Sequence, residues 1–213
     1  MIELFISAFA TFFVVIDPPG CAPIFAGLTS GTSATHRRAM AVRAVTVAAL
    51  ILLGFALFGE VLLRALGISL NAFRIAGGIM LFLIALEMVF ERRTERREDR
   101  AEKLKSGEPV DISIFPMAMP MIAGPGSIAS VMLLMSQSDG AERSLVVLAA
   151  MLAILALTLV ALLAAGPLMR LVGAKIEAVV SRLLGVLLGA LAVQFVIDGV
   201  RASLVAGRAL AGQ

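Results

Sequence analysis

The sequence has little charge and few residues that form disulfides or bind metals. Only 15% of its 213 residues are charged, whereas 60% are hydrophobic and the mean hydropathy is +1.02. A water-soluble domain is about a quarter charged, so this composition excludes a soluble enzyme and a DNA-binding domain. One cysteine, Cys21, excludes an internal disulfide, and one histidine, His36, leaves no His/Cys metal cluster. We therefore expect no metal site and no cofactor, and a protein whose apolar surface faces lipid.

Six apolar stretches are long enough to cross a bilayer, which takes about 20 residues per helix. They cover residues 2–27, 40–66, 68–90, 114–135, 145–169 and 178–200. All six are predicted to be helices, because backbone groups in lipid must be bonded within the segment and alternating strand patterns are absent. The fold class is therefore an all-α membrane protein with six transmembrane helices. The short sequence 66–71 predicts a tight turn between the second and third helices.

Lysine and arginine are distributed unequally between the two ends of these helices. Thirteen of the eighteen fall in the first, third and fifth connections, and seven of those lie between Arg92 and Lys105. Because basic loops are retained in the cytoplasm, both termini are predicted to be periplasmic. The charged segment 91–113 is then a cytoplasmic connector, and its basic residues require no nucleic acid partner.

An internal repeat divides the chain into two halves. A shift of 106 residues superimposes Pro19 on Pro125 together with the glycine that follows each, and a shift of 108 superimposes Arg74 on Arg182. The predicted domains are a first three-helix repeat at 1–90, the connector at 91–113 and a second three-helix repeat at 114–213. Three is an odd number of spans, so the second repeat is expected to be inverted relative to the first.

The first helix of each repeat is broken by prolines and glycines. Proline removes an amide donor and glycine permits unusual backbone geometry, so neither stretch is expected to be one regular helix. Unwound backbone at membrane depth is tolerated where it is buried in protein or lines a cavity. The candidate substrate-binding residues are Asp17, Pro18, Pro19, Gly20, Cys21, Pro23, Pro120, Gly124, Pro125, Gly126 and Ser127.

Inverted repeats with matching broken helices are typical of secondary transporters, which bind substrate near the bilayer midplane. The amide end of a half-helix suits a carboxylate and the carbonyl end suits an ammonium, so a small zwitterion such as an amino acid fits both. The alternative is that the prolines only kink packed helices. Asp17 either binds an ammonium or coupling proton, or caps the helix after the prolines. Arg74 and Arg182 either gate the site and attract a carboxylate or reach the headgroups.

These motifs resemble the MarC family of six-helix bacterial inner-membrane proteins, which is related to a neutral amino acid transporter family. The resemblance runs nearly end to end and is carried by 17–25, 73–86 and 116–127. It implies transport of alanine, glycine or similar solutes driven by a proton or sodium gradient. Family members often have asparagine at the positions of Asp17 and Cys21, so ion coupling and substrate contacts are expected to differ here.

Two other classes of function compete with a transporter. An intramembrane protease would need a pair of facing acids, and Asp17 with Asp198 is the one candidate pair; Asp198 lies near a helix end beside Arg201. We therefore expect no enzyme activity. A structural or regulatory membrane protein and an exporter of another metabolite or drug are the remaining alternatives. The expected partners are a small-molecule substrate, a coupling proton or sodium ion and the lipid bilayer, and the sequence is compatible with a homo-oligomer.

Overall fold

The computed structural model describes residues 1–90, 111–138 and 140–211, with the side chains of all of these except 167–178 and 206–211. Nearly all of the predicted connector lies outside the described residues. Regular secondary structure in the described ranges is entirely helical, as the composition predicts. The helices are α1 (Ile2–Ile16), α2 (Pro18–Leu28), α3 (Ala34–Ala65), α4 (Leu70–Val89), α5 (Ser113–Ile122), α6 (Pro125–Ser136), α7 (Ala141–Leu163) and α8 (Ala165–Ala211).

Five segments of the described residues are long and apolar enough to cross a membrane. They are α1 with α2, α3, α4, α7 and the part of α8 from Val179 to Val205. Helices α5 and α6 are bent by 52° at their junction and give a sixth span if the pair is counted as one. The predicted number of spans is therefore reached only when a bent helix pair is included.

Short polar residues begin two of the long helices, and a glycine ends one. The hydroxyl of Ser33 accepts the His36 amide at the start of α3, and that of Ser69 accepts the Ala72 amide at the start of α4. Gly67 has φ of 69°, and its amide donates to the Arg64 carbonyl. This left-handed residue ends α3 and confirms the tight turn predicted between the second and third spans.

Three predicted boundaries are wrong. The last helix ends at residue 211 rather than 200. Helix α3 begins at residue 34 rather than 40, because the Ser33 cap extends it through a polar first turn. The loop expected near 170–177 is helical, since the chain turns at Ala164 and α8 then continues without a break. Pro167 lies in the first turn of α8, where proline is tolerated, and the arginine and lysine that follow are good helix formers.

Helices α4 and α8 form the most extensive helix pair, and small residues allow their close approach. A Cβ built at Gly78 would lie 2.8 Å from the carbonyl oxygen of Ala192. A Cβ built at Gly185 would lie 2.8 Å from the Cβ of Met88, and one at Gly189 would lie 3.7 Å from that of Ala85. These glycines are therefore required by the contact between α4 and α8, because only small residues let two membrane helices pack at such a distance.

The Gly78→Ala variant is expected to lose about 1–3 kcal/mol of stability, because the added methyl group would overlap backbone rather than a movable side chain. Gly54→Ala is the matched control, since nothing lies within 4 Å of its Cβ position and alanine is the better helix former. The single cysteine, Cys21, is fully buried, so its reaction with a thiol dye during heating reports unfolding. Equal midpoints for Gly78→Ala and Gly54→Ala would contradict this account of the α4–α8 contact.

Candidate functional site

The first break consists of a single residue, Asp17, between α1 and α2. Its backbone is left-handed, with φ of 58° and ψ of 65°, a conformation that aspartate tolerates better than most residues. Its amide donates to the Phe13 carbonyl and ends α1, and its carbonyl accepts the Cys21 amide and begins α2. The chain is thus redirected within one residue, and α1 and α2 together still have the length of a span.

The side chain of Asp17 caps α2. Its Oδ1 accepts the Gly20 amide at 3.1 Å, and the residue is 3% exposed. A Cβ at Gly20 would lie 2.2 Å from Oδ2 of Asp17, so glycine is required where the carboxylate folds over the first turn. Of the two roles predicted for Asp17, the structure therefore shows the helix cap. Binding of an ammonium or a coupling proton stays a prediction.

The second break lies at residues 123–124, between α5 and α6. Pro116 and Pro120 interrupt α5, and the residue before each, Phe115 and Met119, has extended backbone angles, as expected before proline. A Cβ at Gly124 would lie 2.4 Å from the Pro120 carbonyl oxygen, so the chain can pass here only with glycine. The result is a short irregular helix, α5, followed by a regular one, α6.

A hydrogen bond crosses each break at equivalent positions. The Cys21 thiol donates to the Ile16 carbonyl at 3.5 Å, and the Ser127 hydroxyl donates to the Ile122 carbonyl at 2.7 Å. Both donors and both acceptors are related by the 106-residue shift. Each of these side chains therefore supplies a donor to a carbonyl at the end of a broken helix.

The two breaks are brought together in the centre of the protein. Ile16 and Cys21 from the first break and Ile122 from the second belong to one buried hydrophobic cluster. A Cβ built at Gly126 would lie 3.1 Å from Cγ1 of Val15, so the first turn of α6 contacts the end of α1. The two breaks are therefore in contact, although Pro125 is exposed and Pro19, Pro23 and Pro120 are only partly buried.

The two helix starts differ in how they are capped. The position of Asp17 is occupied in the second repeat by Ala123, and the cap residue Gly124 has no side chain that could accept the first amides of α6. One turn further along α6, Ser130 is fully buried and its hydroxyl has no partner among the described residues. Sequence analysis missed Ser130; its spacing of three from Ser127 on one helix face was the signal available.

The two arginines predicted to act on the substrate have different environments. Arg74 is half-buried in α4, and its Nε has no partner among the described residues. It lies one turn before Gly77, whose Cβ position faces Ala129 and Leu133 of α6. Arg182 is exposed on α8. A buried arginine nitrogen without a bond is costly, so Arg74 is the better candidate for binding an anion.

An ion pair joins α3 to the start of α5. Arg43 bonds Asp111, and Asp111 Oδ1 also accepts the Ser113 hydroxyl at 2.5 Å and the Ser113 amide at 3.0 Å. These Ser113 bonds, with Arg43 as a further cause, lower the pKa of Asp111 below its ordinary value of 3.8. Asp111 is therefore ionised near neutral pH and accepts hydrogen bonds at the start of α5.

Together these features define a multi-pass helical membrane protein with two buried helix breaks at its centre. The chain matches the MarC family integral membrane proteins over residues 2–204 and belongs to that family. It is 40% identical to the UPF0056 membrane protein MJ1677 of Methanocaldococcus jannaschii, over 95% of this chain and 98% of that protein. No solved structure matches the chain.

Two further relatives are bacterial. The chain is 36% identical to the UPF0056 inner membrane protein YhgN of Escherichia coli K12, over 92% of this chain and 95% of that protein. It is 32% identical to the UPF0056 membrane protein YvbG of Bacillus subtilis, over 94% of this chain and 96% of that protein. These names establish an integral membrane protein, and they assign no substrate.

Replacing Asp17 by alanine is expected to destabilise the protein by about 1 kcal/mol, because the first turn of α2 loses its cap. Asp17→Asn should stay within a few tenths of a kcal/mol of the parent, since asparagine caps about as well as aspartate. Thiol-dye reaction at Cys21, in the same turn, measures the difference directly. Equal losses in both variants would show that the charge, rather than the cap, stabilises this break.

The stabilisation that Asp111 provides is expected to be constant near neutral pH and to be lost in acid. Its pKa is lower in the folded protein, so its contribution is present above about pH 4 and is lost as the pH falls through the folded value. Thermal melts of the parent and of Asp111→Asn, followed by helical circular dichroism, should differ by a constant amount from pH 7 to 5. The difference should shrink below pH 4, and a difference that grew there would contradict the lowered pKa.

Proposed function

We propose that this protein is a secondary transporter of small neutral solutes, with neutral amino acids such as alanine and glycine as its substrates and a proton or sodium ion as the coupling ion. The observation that carries this proposal is the meeting of two broken membrane helices in one buried region, where Gly126 lies against Val15. Secondary transporters use such paired breaks to bind substrate.

The pattern of helix contacts supports two inverted repeats. If α1 to α4 are exchanged with α5 to α8 in order, the contact of α1 with α7 becomes that of α5 with α3, and both exist. The same exchange relates α2–α7 to α6–α3, α2–α8 to α6–α4 and α1–α6 to α5–α2. The α4–α8 and α3–α7 contacts map onto themselves. Three spans in each half would then give the halves opposite orientations, and the distribution of lysine and arginine supports periplasmic termini in a bacterial inner membrane.

The difference between the two breaks supports an orientation for a zwitterionic substrate. Helix α2 already has a carboxylate at its start, whereas the start of α6 has no side-chain cap and has the unbonded Ser130 hydroxyl one turn away. A substrate carboxylate would bind at the start of α6, where the helix dipole and free amides favour an anion. Its ammonium would bind on the side of Asp17, where Pro18 removes the amide that would otherwise reach the Val14 carbonyl.

The arginines extend this proposal beyond the breaks. Gly77 of α4 faces Ala129 and Leu133, whereas Gly126 of α6 faces Leu81 and Ile84, so the two helices run in opposite directions. Arg74 precedes Gly77 on α4 and therefore lies further from the break. The Arg74 Nε, which has no partner among the described residues, would attract an approaching carboxylate before it reaches the start of α6. Arg182 would perform the equivalent role at the opposite membrane face. No covalent chemistry is proposed for either residue, and the protein is proposed not to be an enzyme.

Counterflow of labelled alanine and glycine in proteoliposomes, with and without proton and sodium gradients, tests the proposal. Saturable flux is expected, with KM raised about tenfold in Ser130→Ala because a bond to the carboxylate is lost. Gly126→Leu should abolish flux, because its Cβ alone would lie 2.6 Å from Ile84 Cδ1. Ser203→Ala on α8 is the control, since that hydroxyl bonds its own helix.

Two outcomes would contradict the proposal. Absence of saturable flux under every gradient would reject neutral amino acids as substrates. Unchanged flux in both Ser130→Ala and Gly126→Leu would show that the breaks do not take part in transport. The coupling ion is read from the same data, because Asp17→Asn keeps the cap and should lose proton dependence only if Asp17 carries the proton.

A further inference from the structure

A cavity of about 360 Å³ lies between α3, α6 and the starts of α4 and α7. Its walls include Glu60 from α3, Met132 and Ser136 from α6, Ser138 beyond α6 and Ser144 from α7. On α6 the lining runs from Met132 to Ser136, six to ten residues beyond Gly126, which places the cavity about 9–15 Å along α6 from the second break. None of its lining residues belongs to the site proposed for the transported substrate.

The serines of this cavity offer oxygen acceptors rather than donors. Ser136 donates its hydroxyl hydrogen to the Leu133 carbonyl at 2.9 Å, Ser138 donates to Leu134 at 2.8 Å and Ser144 donates to Gly140 at 3.2 Å. A hydroxyl has one hydrogen and two lone pairs, so each oxygen retains acceptor capacity once its hydrogen is used. The three serines thus present electron pairs to whatever occupies the cavity.

Glu60 adds a carboxylate to the same lining. Arg64 donates to its Oε1 at 2.5 Å from a side chain that is 77% exposed. Oε2 has no bond to any residue that the structure describes. The polar part of the lining therefore combines one available carboxylate oxygen with three serine oxygens, and the rest is apolar, including Phe55 and Met132.

We infer that this cavity binds the ammonium group of a small primary amine, with the carbon chain of the amine against Phe55 and Met132. An ammonium has three donors and no acceptor, which matches the acceptors that form the polar part of the lining. A carboxylate would meet the serine lone pairs and the negative charge of Glu60, so this lining favours an ammonium over an anion. A bare metal ion would leave the apolar wall without a partner, and no metal-ligand cluster occurs in the part of the chain that the structure describes.

The absence of tryptophan and tyrosine from the chain permits a direct binding experiment. Phe55→Trp places a single fluorophore in the cavity wall of the full-length protein. Propylammonium chloride is titrated against it, with propanol, sodium propionate and sodium chloride as matched probes. Calorimetric titration of the unsubstituted chain with the same probes gives an independent constant if the tryptophan disturbs folding.

Saturable binding of propylammonium is expected, about tenfold weaker or more in Glu60→Gln because a charge-assisted bond is lost. Ser136→Leu should abolish binding by filling the cavity. Glu3→Gln, which removes an exposed acid remote from the cavity in sequence, should bind as the parent does. The thiol-dye midpoint at Cys21 verifies that each variant is folded.

Three results would overturn the inference: equal binding of propanol, propionate or sodium; unchanged affinity in Glu60→Gln; or no saturable binding by either method. The experiment measures equilibrium binding and needs no flux, so it stands apart from the proposed transport. Alanine counterflow that persists in Ser136→Leu would leave the transport proposal intact while this cavity is blocked. Binding without any flux would support the cavity and reject the transport proposal.

Discussion

Every amide and carbonyl at membrane depth needs a hydrogen-bond partner, and the broken helices of this protein depend on how that requirement is met. The Asp17 carboxylate accepts an amide at the start of α2, while Cys21 and Ser127 donate to the carbonyls at the ends of the helices before the breaks. These bonds are local, within five residues of each break. They allow the chain to interrupt two spanning segments without exposing polar backbone to lipid.

The same requirement explains why the breaks are buried together. Backbone that has left the helix is shielded best by protein, and each broken segment provides a wall for the other through α1 and α6. Close approach then demands small residues, and Gly126 occupies the contact with Val15 and Ile84. Helices α4 and α8 enclose this centre from one side through their own glycines, so packing of small residues is continuous from the breaks to the third helix of each half.

The asymmetry between the breaks is chemically more informative than their similarity. Equivalent donors cross both breaks, yet the acid of the first is replaced by Ala123 in the second. There the buried Ser130 hydroxyl has no partner in the part of the chain that the structure describes. A symmetrical pair of breaks would offer two equal binding surfaces. The observed pair has one capped helix start and one start without a side-chain cap, and the proposed orientation of a zwitterionic substrate rests on that difference.

Hydropathy, prolines and glycines determine much of this protein at the level of sequence, because lipid leaves a long apolar segment no alternative to a helix. The spans, the turn at Gly67 and both breaks follow from those local rules. The rules fail where local signals are ambiguous: basic residues near 170–177 resemble a loop, but arginine and lysine also extend helices. Only the tertiary structure decided which side chains meet across distant segments. The bond from Arg43 to Asp111, the unpartnered hydroxyl of Ser130 and the cavity beside Glu60 each depend on helices that are far apart in sequence, and no local pattern fixes how those helices face one another.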